Sequence, residues 1–392
     1  MRAGAWVASV VIAHAAGAAA EPWVIGGSDA APGMWPDAAA ILYSGQMRCS
    51  GTLVAPQVVL TAGHCADPSL GPPPDHVLVG ASSLDGSGGE TIAVERAVVF
   101  PSWQTTVDMT VLVLATAASE SPRSIATGWA RPAIRDGASV DLVGYGAIDA
   151  NGSEFVPALQ QAETTIADAG CTTEPGCNAG AMPDGELGAG GSGIDTCPGD
   201  SGGPLYLPTP FGTFLAGTTS RGYANDQTAC GMGGIYERPD HVVDWIEQSA
   251  GGPVARGPEP ALEAPLTAPR NGGVVATIAA DDPQTSSHRF AIATQPAHGT
   301  AAVHDDGVIH VCIAADAPAG SDAVTVNITD AADATRTIAA VFPIAIDDAA
   351  GSGCEVSAFD GATGGGCAAS GGASVGVAVV VGGWLARRRR RR

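Results

Sequence analysis

Residues 195–204 read DTCPGDSGGP: one serine, Ser201, set among glycines, with Asp195 six positions and Asp200 one position before it. Glycines let the backbone turn sharply enough to present a hydroxyl from a short loop. A serine hydroxyl is a poor nucleophile near neutral pH. It needs a neutral histidine to take its proton, and the histidine needs a carboxylate to fix its orientation. Two carboxylates stand beside Ser201, and the rest of the chain decides what each is for.

Two further segments lie upstream. LTAGHC (60–65) places His64 just before a cysteine, and VDMTVLVLA (107–115) places Asp108 at the mouth of an apolar strand. The surrounding text is strand-like, as in VLVG (77–80), TIAVERAVVF (91–100), TVLVLA (110–115) and SVDLVGYG (139–146), each bounded by Gly, Pro or Asp. HVVDWIEQS (241–249) is the exception, with Val242, Trp245, Ile246 and Ser249 on one helical face. The three motifs, in the order His, Asp, Ser, strongly resemble the chymotrypsin/trypsin family of serine peptidases from residue 24 to about 250.

That resemblance implies an all-β fold, a double β-barrel of the chymotrypsin type with a C-terminal helix. It implies His64 as general base, Asp108 as its orienting acid and Ser201 as nucleophile. The N–H groups of Gly199 and Ser201 would form the oxyanion hole, and Ser220 in TTSRG would support Asp108. Neither Asp195 nor Asp200 is then the triad acid. Asp200 matches the aspartate that pairs with a new α-amino group after proteolysis, here Val24 of VIGG. Asp195 matches the base of the primary specificity pocket in members that cut after Arg or Lys, with Gly222 and Gly234 as small pocket walls. Disulfides Cys49–Cys65, Cys171–Cys177 and Cys197–Cys230 match family pairs. No cofactor or metal is expected.

The sequence departs from the family pattern at three places. Trp23 precedes Val24 where zymogens of this type usually carry Arg or Lys, so an Arg-specific enzyme would not activate itself there and a separate activating protease is expected. Arg221 stands where most relatives have Trp, and either favours acidic residues upstream of the cut or lies in solvent. Residues 178–194, rich in glycine, read as a flexible loop near the pocket entrance.

The remaining chain carries targeting and accessory signals. Arg2 and the Ala/Val-rich run Ala3–Ala16, followed by AAA at 18–20, predict a signal peptide over 1–20 and a propeptide of 21–23. Residues 251–265 read as a Pro/Gly linker. Residues 266–348 alternate as a small β-sandwich, whose segments TQPAHGTAAVHDDGVIHV and GSDAVTVNITD resemble bacterial immunoglobulin- or cadherin-like modules. Its histidines, His288, His298, His304 and His310, read as solvated. A Gly-rich segment (349–367) ends in Cys367. It precedes 19 uncharged residues, Ala368–Ala386, and six closing arginines. This tail (368–392) resembles the MYXO-CTERM sorting signal, which implies a sorting enzyme, processing or lipidation at Cys367, and membrane contact before processing.

There is no lysine, and residues 21–367 carry eleven arginines against 40 acids, a net charge of −29. Such a surface repels nucleic acid and favours cationic peptides. The nine cysteines suit an oxidising compartment, so the chain is expected to be exported to the cell surface or secreted. Of the remaining Cys312, Cys354 and Cys367, the first two could pair if Cys367 carries a lipid or is trimmed, and the sequence leaves their fate open. The sequence therefore points to an exported endopeptidase acting on protein substrates after Arg or Lys. Two alternatives are an adhesion protein with a latent peptidase domain and a processing enzyme with a single target.

Overall fold

The computed structural model describes residues 24–173, 176–181, 185–223 and 228–355. The signal peptide, propeptide, Cys367 and C-terminal tail expected from the sequence lie outside the described residues. Among the described residues, no helix is long and apolar enough to cross a membrane.

A two-residue strand, β1 (Ser28–Asp29), leads into six strands: β2 (Ala38–Tyr43), β3 (Gln46–Ala55), β4 (Val58–Thr61), β5 (His76–Val79), β6 (Glu90–Val99) and β7 (Thr110–Leu114). They close into a barrel in the order β2-β3-β4-β7-β6-β5. Its interior is filled by Ile41, Leu53, Val59, Val77, Val79, Leu112 and Leu114, drawn from alternate positions as the pleat requires. Six more strands follow: β8 (Ser139–Gly144), β9 (Gln160–Asp168), β10 (Glu186–Ala189), β11 (Pro204–Thr209), β12 (Gly212–Gly222) and β13 (Gly234–Glu237). They run in the order β9-β10-β13-β12-β11-β8. The β8–β9 pairing closes the ring, and β1 is added outside β9.

The barrels meet over a shared apolar cluster that includes Leu60, Met109, Val143, Tyr145 and Leu215. One buried ion pair crosses this seam. Arg123 contacts Asp37 at 2.5 Å, Tyr206 donates its hydroxyl to Asp37 at 2.5 Å, and Trp35 stacks on Tyr206. Helix α1 (Val243–Ala250) buries Val243 and Ile246 against the same cluster, and Trp245 packs edge-on to Phe100. Gly251, at φ 81°, ends the helix in the left-handed conformation that glycine adopts without cost.

The segment read as a linker is not a free tether. Ala255 N–H donates to Val54, Ile125 N–H to Ala255, Gly257 N–H to Ile125, and Trp129 N–H to Pro258. An extended strap thus lies across both barrels. Beyond it come β14 (Ala261–Leu262), β15 (Leu266–Arg270), β16 (Gly273–Ala279), β17 (His288–Thr294), β18 (Gly299–Val303), β19 (Val308–Ile313), β20 (Gly320–Asp330) and β21 (Thr337–Ala350). They form two four-stranded sheets, β14-β16-β19-β18 and β15-β21-β20-β17, enclosing one core. That core takes in Trp129, a residue of the segment joining the two barrels and only 1% exposed, whose Nε1–H donates to Ala280 C=O at 2.5 Å. His288 is not solvated. Its ring lies 5.3 Å from that of Trp129, and its side chain is 5% exposed.

The stretch 178–194 also departs from expectation. Within it, Glu186–Ala189 form the buried strand β10, paired with β9 and β13, which takes up backbone groups that a loop would leave to water. Its glycines reflect crowding: a Cβ on Gly190 would stand 2.8 Å from Ile194 O.

Candidate active site

His64 and Asp108 belong to the first barrel. His64 lies in a short turn, Gly63–Cys65, after β4, and Asp108 lies two residues before β7. Because Thr61 pairs with Thr110, the paired ends of β4 and β7 bring the two side chains together. His64 Nδ1 is 2.8 Å from Asp108 Oδ2, and the His64 backbone N–H donates to Asp108 Oδ1 at 2.9 Å. From β12, Ser220 donates its hydroxyl to Asp108 Oδ2 at 2.7 Å. Burial alone would raise the Asp108 pKa. The hydrogen bonds from His64 and Ser220 and the proximity of His64 outweigh it and hold the carboxyl below its ordinary value. A buried anion thus accepts the hydrogen bond from Nδ1–H, which leaves Nε2 as an acceptor.

Ser201 comes from the second barrel, in the turn before β11. Its C=O accepts the Ser50 N–H at 2.8 Å and lies 3.7 Å from Cys65 Sγ, next to His64. Among the described residues, no hydrogen bond joins the Ser201 hydroxyl to the His64 ring. Such bonds are often long until substrate binds. Within the turn, the N–H groups of Asp200, Gly202 and Gly203 donate to Cys197, Thr219 and Asp200 carbonyls. Among the described residues, those of Gly199 and Ser201 have no acceptor. Two amide donors therefore stand unspent beside a hydroxyl.

Asp195 is fully buried. Its Oδ2 accepts from the N–H groups of Gly231 (2.8 Å) and Gly233 (3.1 Å), and its Oδ1 from Thr196 (2.8 Å). Gly222 and Gly234 face each other across β12 and β13, and a Cβ on Gly234 would stand 3.4 Å from Asp195 Oδ1. Glycine at both positions thus puts no side chain on this strand pair beside the buried carboxylate. Asp200 is equally buried but faces away, accepting from Gly146 N–H (2.7 Å) and Cys197 N–H (2.8 Å). A Cβ on Gly144 or Gly146 would collide with its carboxylate. Burial, with help from Asp195, pushes the Asp200 carboxyl up to about 7. Beside Asp195 runs the VIGG segment. Asp195 N–H donates to Ile25 C=O at 3.3 Å, and Ile25 packs on Ala147, Cys197 and Cys230.

The sequence matches the family model described as Trypsin over residues 24–246. The chain belongs to the trypsin family. Among curated proteins it is 30% identical to human serine protease 56 over 254 residues, covering 60% of this chain and 40% of the relative. The mouse protein of the same name is 31% identical over 248 residues, with the same coverage. The chain thus spans about two fifths of the length of the curated relatives it matches. A solved structure of neuropsin, a serine protease expressed in the limbic system of mouse brain, aligns at 25% identity. It covers 57% of this chain and 98% of that one, with a TM-score of 0.47.

In the trypsin-family domain, disulfides join Cys49 to Cys65, Cys171 to Cys177, and Cys197 to Cys230, and a fourth joins Cys312 to Cys354 in the sandwich. Arg221 is not free in solvent, although its side chain is 36% exposed. Its guanidinium turns inward to Glu186 Oε1 (2.7 Å), Gly176 C=O (2.8 Å) and Ser220 Oγ (3.0 Å). Two neighbours of the site escaped the sequence reading. Trp103 stands 6.1 Å from the His64 ring, with its Nε1–H bonded to Asp67. Phe155, half exposed, stands over Gly199. Both are single aromatics in irregular loops, where no periodicity could mark them.

Proposed function

We propose that the trypsin-family domain is a serine endopeptidase cutting after arginine, less often lysine. The observation that carries this reading is the Asp108–His64 pair beside Ser201 and its two unspent amides. Ser201 Oγ attacks the substrate carbonyl carbon while His64 Nε2 takes its proton. Asp108 stabilises the imidazolium, and the N–H groups of Gly199 and Ser201 bind the oxyanion. His64 returns the proton to the leaving amine as the C–N bond breaks, and water hydrolyses the acyl-enzyme by the same route. The Asp195 carboxylate near the paired glycines supports the choice of a cationic side chain.

Cleavage before Val24 is the proposed switch, with the new ammonium pairing with Asp200. Val24 stands at φ 36°, a strained value for a β-branched residue, and cutting the preceding peptide bond removes that constraint. Four disulfides also support export, the processing or anchoring of the tail being part of the same proposal.

The test uses a matched set of peptide anilides differing only at the residue before the cut, applied to full-length chains with and without residues preceding Val24. Cleavage after Arg by the form beginning at Val24 alone is the expected result. Silence from both folded forms would favour the latent or single-target alternative.

A further inference from the structure

Glu186 and Glu237 sit directly opposite each other on β10 and β13, both almost fully buried. Like charges in that position repel. Arg221 spans them. Its Nη2 is 2.7 Å from Glu186 Oε1 and its Nη1 3.6 Å from Glu237 Oε1. Glu186 Oε2 also accepts the Asn178 N–H at 2.6 Å, whereas neither Glu237 oxygen has a hydrogen-bond partner among the described residues. The same guanidinium donates to Ser220 Oγ, and Ser220 donates to Asp108, which holds His64.

We propose that Arg221 is a positioning residue. By bridging the opposed glutamates it fixes the Ser220 hydroxyl on Asp108, and it brings a cation to the buried acids behind His64. This rests on the peptidase reading given above. The groups facing Arg221 and Asp108 are His64 from the turn after β4, Ser220 from β12, Glu237 from β13 and Glu186 from β10. Burial first, then Glu186, raises the Glu237 pKa well above its ordinary value, which favours its protonated form and leaves Glu186 as the acid Arg221 chiefly balances. Without the guanidinium, Glu186 adds uncompensated negative charge behind the imidazole. That charge favours the imidazolium, and the neutral base then appears only at higher pH.

The full-length chain processed to Val24 tests this with Arg221→Gln, Arg221→Lys and Glu237→Gln. For Arg221→Gln, kcat on an arginine anilide should fall about tenfold with KM within twofold. The acid limb of kcat/KM should move up by about one pH unit, since three hydrogen bonds separate the lost charge from the ring. Arg221→Lys should return the limb, and Glu237→Gln should leave it in place. A wild-type limb in Arg221→Gln, with only thermal stability lost, overturns the proposal. If the wild type cleaves nothing, the peptidase reading fails by itself. The imidazole titration of labelled His64 by NMR then decides: the same upward move in Arg221→Gln sustains the positioning role, and an unmoved midpoint ends it.

Discussion

Asp195 and Asp200 lie five residues apart, are the same amino acid and are equally shut off from water, yet their surroundings oppose one another. Asp195 is held by three backbone N–H groups, near the paired glycines Gly222 and Gly234 that our reading makes pocket walls. Asp200 is held by two, in a niche that admits it only because residues 144 and 146 are glycine. A buried carboxylate is costly without a cation. In our reading, one site takes its cation from the substrate and the other from the chain's own new terminus. Burial alone does not tell the two apart; the neighbours of each carboxylate do.

The comparison breaks first at the residue both sites serve. Ser201→Ala should lower kcat by about 10⁶ while leaving the fold intact, as loss of the nucleophile does in serine proteases. A residual rate near wild type would mean that neither aspartate belongs to a serine mechanism. Asp195→Ser should cost about 10⁴ in kcat/KM on arginine substrates and much less on apolar ones, because a site built around a charged partner discriminates steeply. An unchanged arginine preference would remove Asp195 from the pocket floor.

Much of this was legible in the sequence because the relevant groups sit inside short motifs. GHC, GDSGGP and the strand-start Asp108 place the site, and alternation marks β5 to β8 closely. What escaped depended on contacts between distant segments. β10 is hidden in a glycine-rich stretch, since its hydrogen bonds lie with β9 and β13 and not in its own composition. Glu186 and Glu237 lie 51 positions apart in the chain, and only the β10–β13 register sets them face to face. Trp129 fills the core of sheets that begin more than a hundred residues later, and His288 is buried against it. No local period announces such a plug, and the Pro/Gly-rich strap that precedes the sheets looks like a tether in one dimension.

The smallest expected effect sharpens the comparison at Asp200 through pH. An ordinary carboxyl near 3.8 is raised here to about 7 while Val24 remains in peptide linkage. Between these values the folded chain holds a proton that the unfolded chain has released. Stability contributed by that proton is therefore full below about 4 and is lost as pH rises through about 7, some 4 kcal/mol in all. Asp200→Asn, which cannot ionise, should lack this fall. Denaturant midpoints of the unprocessed chain and of Asp200→Asn, taken from pH 4 to 8, isolate the contribution as their difference. In the chain beginning at Val24, an ammonium beside Asp200 favours the carboxylate, so the downward slope should vanish there too. If all three forms share one slope, Asp200 is ionised without a cation. The ion pair would then not be what distinguishes the processed chain, and Asp200 would be an ordinary buried carboxylate satisfied by backbone amides, as Asp195 is before substrate arrives.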